Sequence, residues 1–316
     1  MSLPFKFIGS LMMHIYYLIY YLKYYRLEGS LFFLAKALYL VLHRVPRRVR
    51  LVRVREGYSV LAVPGDLGIS SELLSWGSHE PFFTRLLLER LGRGMVVIDI
   101  GSNIGYYAFL EALAVGSEGL VVAVEPQPHV FKALLAGVRL NGLGNILPFR
   151  LAISRRRGNV SMLISRFSNW SRVLEGDDPA PDFHAIHEVE AVSVDDLVDS
   201  LGLKRVDLIR MDVEGYETEV LEGAWRTLER FRPRICLELH VYNIGLRESI
   251  RLLARILEKG YRIDFASPRQ IDVSLIWRRS HAYAVKPSGD AREQLIQIFR
   301  KPYMLEVIHT CLSPSS

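Results

Sequence analysis

Two groups of residues in this 316-residue chain have the types and spacing for chemistry. The first is Val96-Val97-Ile98-Asp99-Ile100-Gly101-Ser102-Asn103-Ile104-Gly105, an apolar run ending in an acid and a glycine turn. Glycines let a backbone approach a ligand closely, and the start of a following helix offers free N–H groups. Glu125-Pro126 closes a second apolar run, about 20 residues past the turn, where a carboxylate can accept hydrogen bonds from both hydroxyls of a ribose. The spacing from Gly101 to Gly105 lacks the middle glycine through which a pyrophosphate approaches. Asp99 would repel a pyrophosphate, but it suits the positive amino end and sulfonium region of S-adenosylmethionine. The expectation is a pocket for that methyl donor rather than for a nicotinamide dinucleotide.

The second group lies at the ends of two later apolar runs. One ends in Arg210-Met211-Asp212-Val213-Glu214-Gly215-Tyr216-Glu217, the next in Glu238-Leu239-His240. Carboxylates at strand ends face a cleft rather than a core. Alternation puts Asp212 and Glu214 on one side if the strand extends that far. Asp212 could take a proton from a hydroxyl, or fix donor or substrate. His240 is a candidate general base with an ordinary pKa near neutrality, and a satisfied structural histidine is the competing reading. Glu217 fits a first helical turn, where the dipole favours an acid. Asp212, Glu214 and His240 are the candidate catalytic residues. Methyl transfer is an in-line displacement, so a protein mainly supplies alignment and a dry cleft.

These residues need a scaffold that brings strand ends together. Val96–Ile100, Leu120–Val124, Ile146–Ile153, Val206–Met211 and Arg234–Leu239 read as strands. Between them Ile104–Ala114, Pro128–Leu140, Val194–Leu201 and Glu217–Arg230 read as helices, and Leu246–Glu258 follows as another. Val160–Ile164 is a candidate neighbour of the third strand, and Val189–Val192 a short strand. Phe167–His187 is polar, with Gly, Asp and Pro, and reads as an insertion loop. Tyr261–Ala266 and Ile271–Trp277, joined by a short loop, favour an antiparallel pair at the sheet edge. The alternation implies an α/β, Rossmann-like fold: a mostly parallel sheet of seven strands, helices on both faces, and a terminal antiparallel pair. Ligands then sit at the carboxyl ends of the strands.

The chain divides into a Tyr-rich hydrophobic extension (1–45), a basic hairpin with a helical lead-in (46–92), the main domain (93–279) and a C-terminal extension (280–316). In the hairpin, Val49–Val54 and Tyr58–Val63 flank Glu56-Gly57, and helices are expected at Glu72–Trp76 and Pro81–Leu91. Asp290–Thr310 reads as a helix plus a strand. Half the residues are hydrophobic, enough for one large domain with additions. Two cysteines, Cys236 and Cys311, make neither a disulfide framework nor a paired zinc motif, so no metal is expected and a reducing compartment fits. The net charge of +6 is concentrated at Arg44, Arg47, Arg48, Arg50, Arg53 and Arg55, a cluster suited to nucleic acid or anionic lipid, or simply to solvent. Phe7–Leu22 and Leu31–Leu42 are apolar runs shorter than the roughly 20 residues of a spanning helix. Neither carries a secretory cleavage site. Three placements stay open: packed on the domain, lying in a membrane interface, or spanning it. The expected location is cytoplasmic, with membrane contact through residues 5–55.

Val96–Tyr107 (VVIDIGSNIGYY), Val124–Pro126 (VEP), Leu140–Leu143 (LNGL), Leu151–Ser154 (LAIS), Val194–Leu197 (VDDL), Asp207–Glu217 (DLIRMDVEGYE), Val220–Ala224 (VLEGA) and Leu237–His240 (LELH) together resemble the FkbM family of methyltransferases. The order and spacing of the blocks are more specific than any one alone, and they span about residues 79–240. The resemblance implies a class I methyltransferase fold, S-adenosylmethionine as cofactor, and O-methylation of hydroxyls on sugars, glycan or glycolipid components, or polyketides. The cofactor-binding set it implies is Glu80, Asp99, Gly101, Ser102, Asn103, Gly105, Glu125, Pro126, Ala152 and Asp212. Asp212, Glu214, Gly215 and Glu217 match its hallmark. Ser102 stands where Ala is usual, and His79 where Tyr is common beside the acid. Ser168-Asn169-Trp170-Ser171 matches a Ser-rich family segment loosely.

The expected acceptor is a small-molecule or glycan hydroxyl. RNA ribose methylation is the runner-up, with the arginines holding phosphates. Base amino-group chemistry lacks its proline-rich turn at Asp212-Val213-Glu214-Gly215, and cytosine chemistry lacks a cleft cysteine. A non-catalytic membrane-associated binding module is the reading from another class.

Overall fold

The computed structural model describes residues 46–165, 168, 171–174, 183–268 and 308–314. The two apolar N-terminal runs, the strand expected at Ile271–Trp277 and most of the C-terminal stretch lie outside the described residues. Among the described residues no helix is long and apolar enough to cross a membrane.

Thirteen strands are described, numbered in chain order. β3 (Val96–Ile100), β4 (Leu120–Val124), β5 (Ile146–Phe149), β10 (Leu208–Met211), β11 (Arg234–Leu239), β12 (Tyr261–Pro268) and β13 (Ile308–Pro314) form one sheet in the order β12-β13-β11-β10-β3-β4-β5. The run from β5 to β11 is parallel. β13 is antiparallel to both neighbours, β11 and β12. This is the class I methyltransferase arrangement. The order reverses between β3 and β10, and the carboxyl ends of these two strands flank the switch point.

Alternation along each strand builds two cores. Ile98, Ile100, Val122, Val124, Ile209, Met211, Ile235 and Leu237 face the helices Val194–Ser200, Glu217–Glu222, Trp225–Phe231 and Leu246–Glu258. Val97, Val121, Ala123, Leu208 and Cys236 join the other core, with the helices Tyr106–Val115 and Pro128–Leu140 and the hairpin of β1 (Arg50–Arg53) and β2 (Ser59–Ala62). Asp99 and Arg210 pair in β3–β10 register inside this second layer, which is why their charges end up buried.

Departures from the sequence reading concern the third strand, the insertion, the sheet edge and one helix. Ile146–Ile153 is not one strand. β5 ends at Phe149, and Ala152–Ile153 (β6) joins a second sheet in the order β6-β9-β7-β8. That sheet contains β7 (Gly158–Ser165), β8 (Arg172–Val173) and the ten-residue β9 (Phe183–Val192). Val160–Ile164 therefore pairs with β9, not with the main sheet, and the insertion loop gives way to strand from Phe183. The strand inserted between β11 and β12 is Ile308–Pro314, from the stretch set apart as a C-terminal extension. The expected Glu217–Arg230 helix breaks at Gly223, where a Cβ would come within 2.2 Å of the Ser154 carbonyl oxygen.

Candidate active site

A cavity opens at the carboxyl ends of β3, β4 and β10, roofed by the second sheet. Its lining includes Ile100, Gly101, Asn103, Glu125, Pro126, Gln127, Leu151, Ala152, Ile153, Ser168, Arg172, Asp212, Glu214 and Tyr216. Of the residues singled out in the sequence, Gly101, Asn103, Glu125, Pro126, Ala152, Asp212 and Glu214 meet here. Glu80, Asp99, Ser102, Gly105 and His240 are not on its wall.

The glycine turn is held tightly. Gly101 has φ +80°, and a Cβ on it would come within 2.0 Å of the Asp212 carbonyl oxygen. No side chain fits there, so bare backbone faces the cavity. The Gly101 and Ser102 amides both donate to the Val124 carbonyl, at 2.9 and 3.0 Å. Gly105, φ +95°, serves packing instead, since its missing Cβ makes room for the Phe109 ring and Leu134. Ser102 donates its hydroxyl back to the Asp99 carbonyl.

Glu125 is buried at the end of β4. Its Oε2 accepts from the Asn103 amide at 3.0 Å and its Oε1 from the Gln127 amide at 2.8 Å. Burial pushes its pKa up to about 7, although the two amide bonds pull the other way. Ser168 closes the wall above it. Its amide and hydroxyl donate to the Asp66 carboxylate at 2.9 and 3.0 Å, and its carbonyl accepts from Gln127 Nε2 at 3.0 Å. Asp66 also accepts from the Gly68 and Ser70 amides. Asp66, Gln127 and Ser168 were not predicted as site residues. A cue existed only for Gln127, which stands before a helix beginning with Pro128, and Ser168 had only its loose family match.

Asp99, expected to face the donor's amino end, turns to the opposite layer. It is fully buried, and its Oδ1 accepts from Arg210 at 2.8 Å. Strand alternation explains this: Ile98 and Ile100 point one way and Asp99 the other. Arg210 reaches Asp212 Oδ2 at 3.2 Å with its other terminal nitrogen, and lies over the Tyr107 ring at 4.1 Å. Burial would lower the guanidinium's pKa, but Asp99 and Asp212 together raise it. Glu80 is tied to the same network, accepting from the Tyr107 hydroxyl at 3.0 Å, while His79 meets Glu72 at 2.8 Å. Glu80 is thus a neighbour of Arg210's aromatic partner rather than a cavity residue.

At the other end of the cavity, β10 stops at Met211 and the chain turns through Glu214 and Gly215, both at positive φ. That turn, not strand alternation, carries Asp212 and Glu214 to the same cavity. His240 lies behind them, with Nε2 3.2 Å from Glu214 and 3.9 Å from Asp212. Its Nδ1 is 2.6 Å from Glu217, which is fully buried and also accepts from the Gly215 amide. Glu217 therefore orients the imidazole rather than simply meeting the helix dipole. Burial alone would lower the His240 pKa, but Glu214 and Glu217 hold it well above the usual range. Asp212 is pushed up to about 8, by burial first and then by neighbouring Glu238, against the pull of Arg210.

The sequence model of the methyltransferase FkbM domain matches residues 99–263. A model of protein-L-isoaspartate O-methyltransferases matches residues 30–152. Hexuronic acid methyltransferase AglP of Haloferax volcanii is 28% identical over 171 residues, covering 54% of this chain and 66% of AglP. The 2-O-methyltransferase NoeI of Sinorhizobium fredii is 29% identical over 151 residues, covering 43% of this chain and 60% of NoeI. The chain thus spans less than two thirds of either relative's length. A crystal structure of methyltransferase FkbM from Methylobacillus flagellatus KT aligns with a TM-score of 0.40 at 17% identity, covering 54% of this chain and 39% of that one. With the domain model matching more than half of its length, this chain belongs to the FkbM family of methyltransferases.

Proposed function

We propose that this methyltransferase takes its methyl group from S-adenosylmethionine and delivers it to a hydroxyl of a sugar, or of a glycan or glycolipid component. One observation carries the reading: a single cavity is lined by Gly101, Asn103 and Glu125 together with Asp212 and Glu214. The residues present fit the donor. The backbone is bare at Gly101, where a Cβ has no room. Each oxygen of Glu125 has one amide bond and keeps a second lone pair for a ribose hydroxyl. Leu151, Ala152, Ile153 and Val173 offer apolar surface to a base ring.

The donor supplies a methyl group already attached to its leaving group, a sulfonium. The protein's part is alignment and exclusion of water. Asp212 and Glu214 line the cavity, and one of them takes the hydroxyl proton of the acceptor. His240, off the cavity wall, acts through them as a positioning residue. Two relatives named for hexuronic acid and for 2-O-methylation favour a sugar hydroxyl as acceptor.

Calorimetry with S-adenosylmethionine and with its demethylated product tests the donor half. Saturable binding of both is expected, and failure of both to bind overturns the reading. A screen of hydroxylated sugars and lipids, following release of demethylated donor, tests the acceptor half. Turnover with a hydroxylated sugar, lowered at least tenfold in Glu214→Gln, is the expected result.

For the chain's surroundings we infer contact with an anionic membrane surface. Arg47, Arg48, Arg50, Arg53 and Arg55 are exposed on or beside the hairpin, interleaved with exposed Val49 and Leu51.

A further inference from the structure

Carboxylates crowd a single histidine at the acceptor end of the cavity. Four carboxylates surround His240: Glu217 at Nδ1, and Glu214, Asp212 and Glu238 at 3.2, 3.9 and 4.0 Å from Nε2. Arg210 reaches this cluster and is shared between Asp99 and Asp212, and Arg172 lines the same cavity. The strand register forces this crowding. Met211 stands beside Leu237 in the parallel β10–β11 pair, so the next residues bring Asp212 alongside Glu238. Like charges side by side on adjacent strands are destabilising, and burial sharpens the cost. Glu217 carries an unmatched buried oxygen. Its Oε2 is buried beside the same imidazole and has no hydrogen-bond partner, although buried carboxylate oxygens are ordinarily paired.

We propose that Asp212, Glu238 and His240 form a binding site for a divalent metal ion at the acceptor end of the cavity. One ligand atom from each lies within 4.8 Å of the others, so a closing of a few tenths of an ångström brings them to the span of two metal–ligand bonds of roughly 2.0–2.2 Å. His240 is already set as a ligand. Glu217 engages Nδ1, fixing the ring so that Nε2 faces Glu214 at 3.2 Å with Asp212 and Glu238 just beyond, at 3.9 and 4.0 Å, and a carboxylate behind a histidine orients ligating imidazoles and raises their basicity. Two carboxylates and one imidazole suit manganese, iron or zinc in the divalent state better than they suit a soft ion. Because Asp212 lines the cavity, the ion keeps open positions on the acceptor side. A hydroxyl oxygen bound there has its pKa lowered and releases its proton to Glu214 as its bond to the methyl carbon forms and the donor's carbon–sulfur bond breaks, the electron pair leaving on the sulfur as a neutral thioether. This role rests on the methyl-transfer reading, but binding of the ion does not.

The full-length chain, stripped with a chelator and dialysed, is titrated with Mn²⁺ and followed by electron paramagnetic resonance and calorimetry. One ion per chain is expected, with a rise in thermal midpoint on binding. Glu238→Gln and Asp212→Asn should each weaken binding at least a hundredfold, and Glu217→Gln roughly tenfold. Circular dichroism and a thermal melt of each stripped variant show that it remains folded. Asp199→Asn, remote from the cluster, should bind Mn²⁺ as the parent does. Absence of stoichiometric binding at 1 mM Mn²⁺, or binding unchanged in Glu238→Gln, overturns the site. Donor binding measured in chelator distinguishes the two readings: if it persists while Mn²⁺ fails to bind, only the metal site falls. Mn²⁺ binding that survives a failure of donor binding supports the metal site on its own.

Discussion

Glu125 makes the donor end of the cavity sensitive to pH. Its pKa, raised to about 7 by burial, means that a proton competes with ribose hydroxyls for a lone pair below neutrality. Affinity for S-adenosylmethionine should therefore rise as pH goes from 6 to 8, measured by calorimetry across that range. Glu125→Gln should bind about tenfold more weakly at pH 8, a loss of about 1.4 kcal/mol, with a flat profile. A parental slope retained in the variant would remove Glu125 from this role. Glu111 illustrates the opposite use of a carboxyl. It is fully buried near Asp99 and Arg210, and neither oxygen has a hydrogen-bond partner. Burial, reinforced by Asp99, holds its pKa well above the ordinary value. The unfolded chain ionises this group near pH 4.5 and the folded chain does not, so stability falls as pH rises above that point until the folded pKa is reached. Glu111→Met should raise the unfolding free energy at pH 7 by about 1–3 kcal/mol in urea titrations, and lessen the decline between pH 5 and 7. At this scale the glycine turn and Glu125 were legible, because their demands are local. The direction of Asp99 was hidden behind a plausible charge argument, although strand alternation contained it.

Among the elements, the second sheet and the Asp66 loop make the roof of the cavity. Asp66 receives four hydrogen bonds, two from its own loop and two from Ser168, across about a hundred residues of chain. Asp66→Ala should release Ser168 from Asn103 and Gln127, weaken donor binding about tenfold, and leave the main sheet folded. Calorimetry together with a thermal melt checks this, and an unchanged affinity would show that the roof does not need its anchor. Elements with strong local patterns were readable from the sequence: Val96–Ile100, Leu120–Val124, Pro128–Leu140, Arg234–Leu239 and Leu246–Glu258 fall where periodicity placed them. The split of Ile146–Ile153 was not readable, because β6 leaves the main sheet to pair with β9 about forty residues further on, at Ala191 and Val192, in what reads from the sequence only as a short strand. Pairing partners at that distance leave no trace in a local window.

For the whole molecule, the exposed arginines of the hairpin and the apolar stretch before them point to one experiment. In flotation with vesicles containing anionic lipid, the full chain should rise with the lipid, while a variant beginning at Arg47 should float markedly less and become strongly salt-sensitive. Equal flotation of the two would exclude an anchoring contribution from residues 1–46. Integrity of the main sheet depends on β13, whose Leu312 is fully buried between β11 and β12. Leu312→Asp should cost about 3–5 kcal/mol in urea unfolding, and a value under about 1 kcal/mol would mean that the strand is only loosely held. The place of β13 could not be foretold from the sequence, since a nearer candidate, Ile271–Trp277, offered a shorter connection.

The late arrival of β13 also shapes how the chain is made. A ribosome releases β11 and β12 first, and the strand that lies between them in the finished sheet follows about forty residues later. Until residues 308–314 emerge, each of those strands presents an open row of amide and carbonyl groups, a template for pairing with another nascent chain. Residues 308–314 then fill a slot between two strands made earlier.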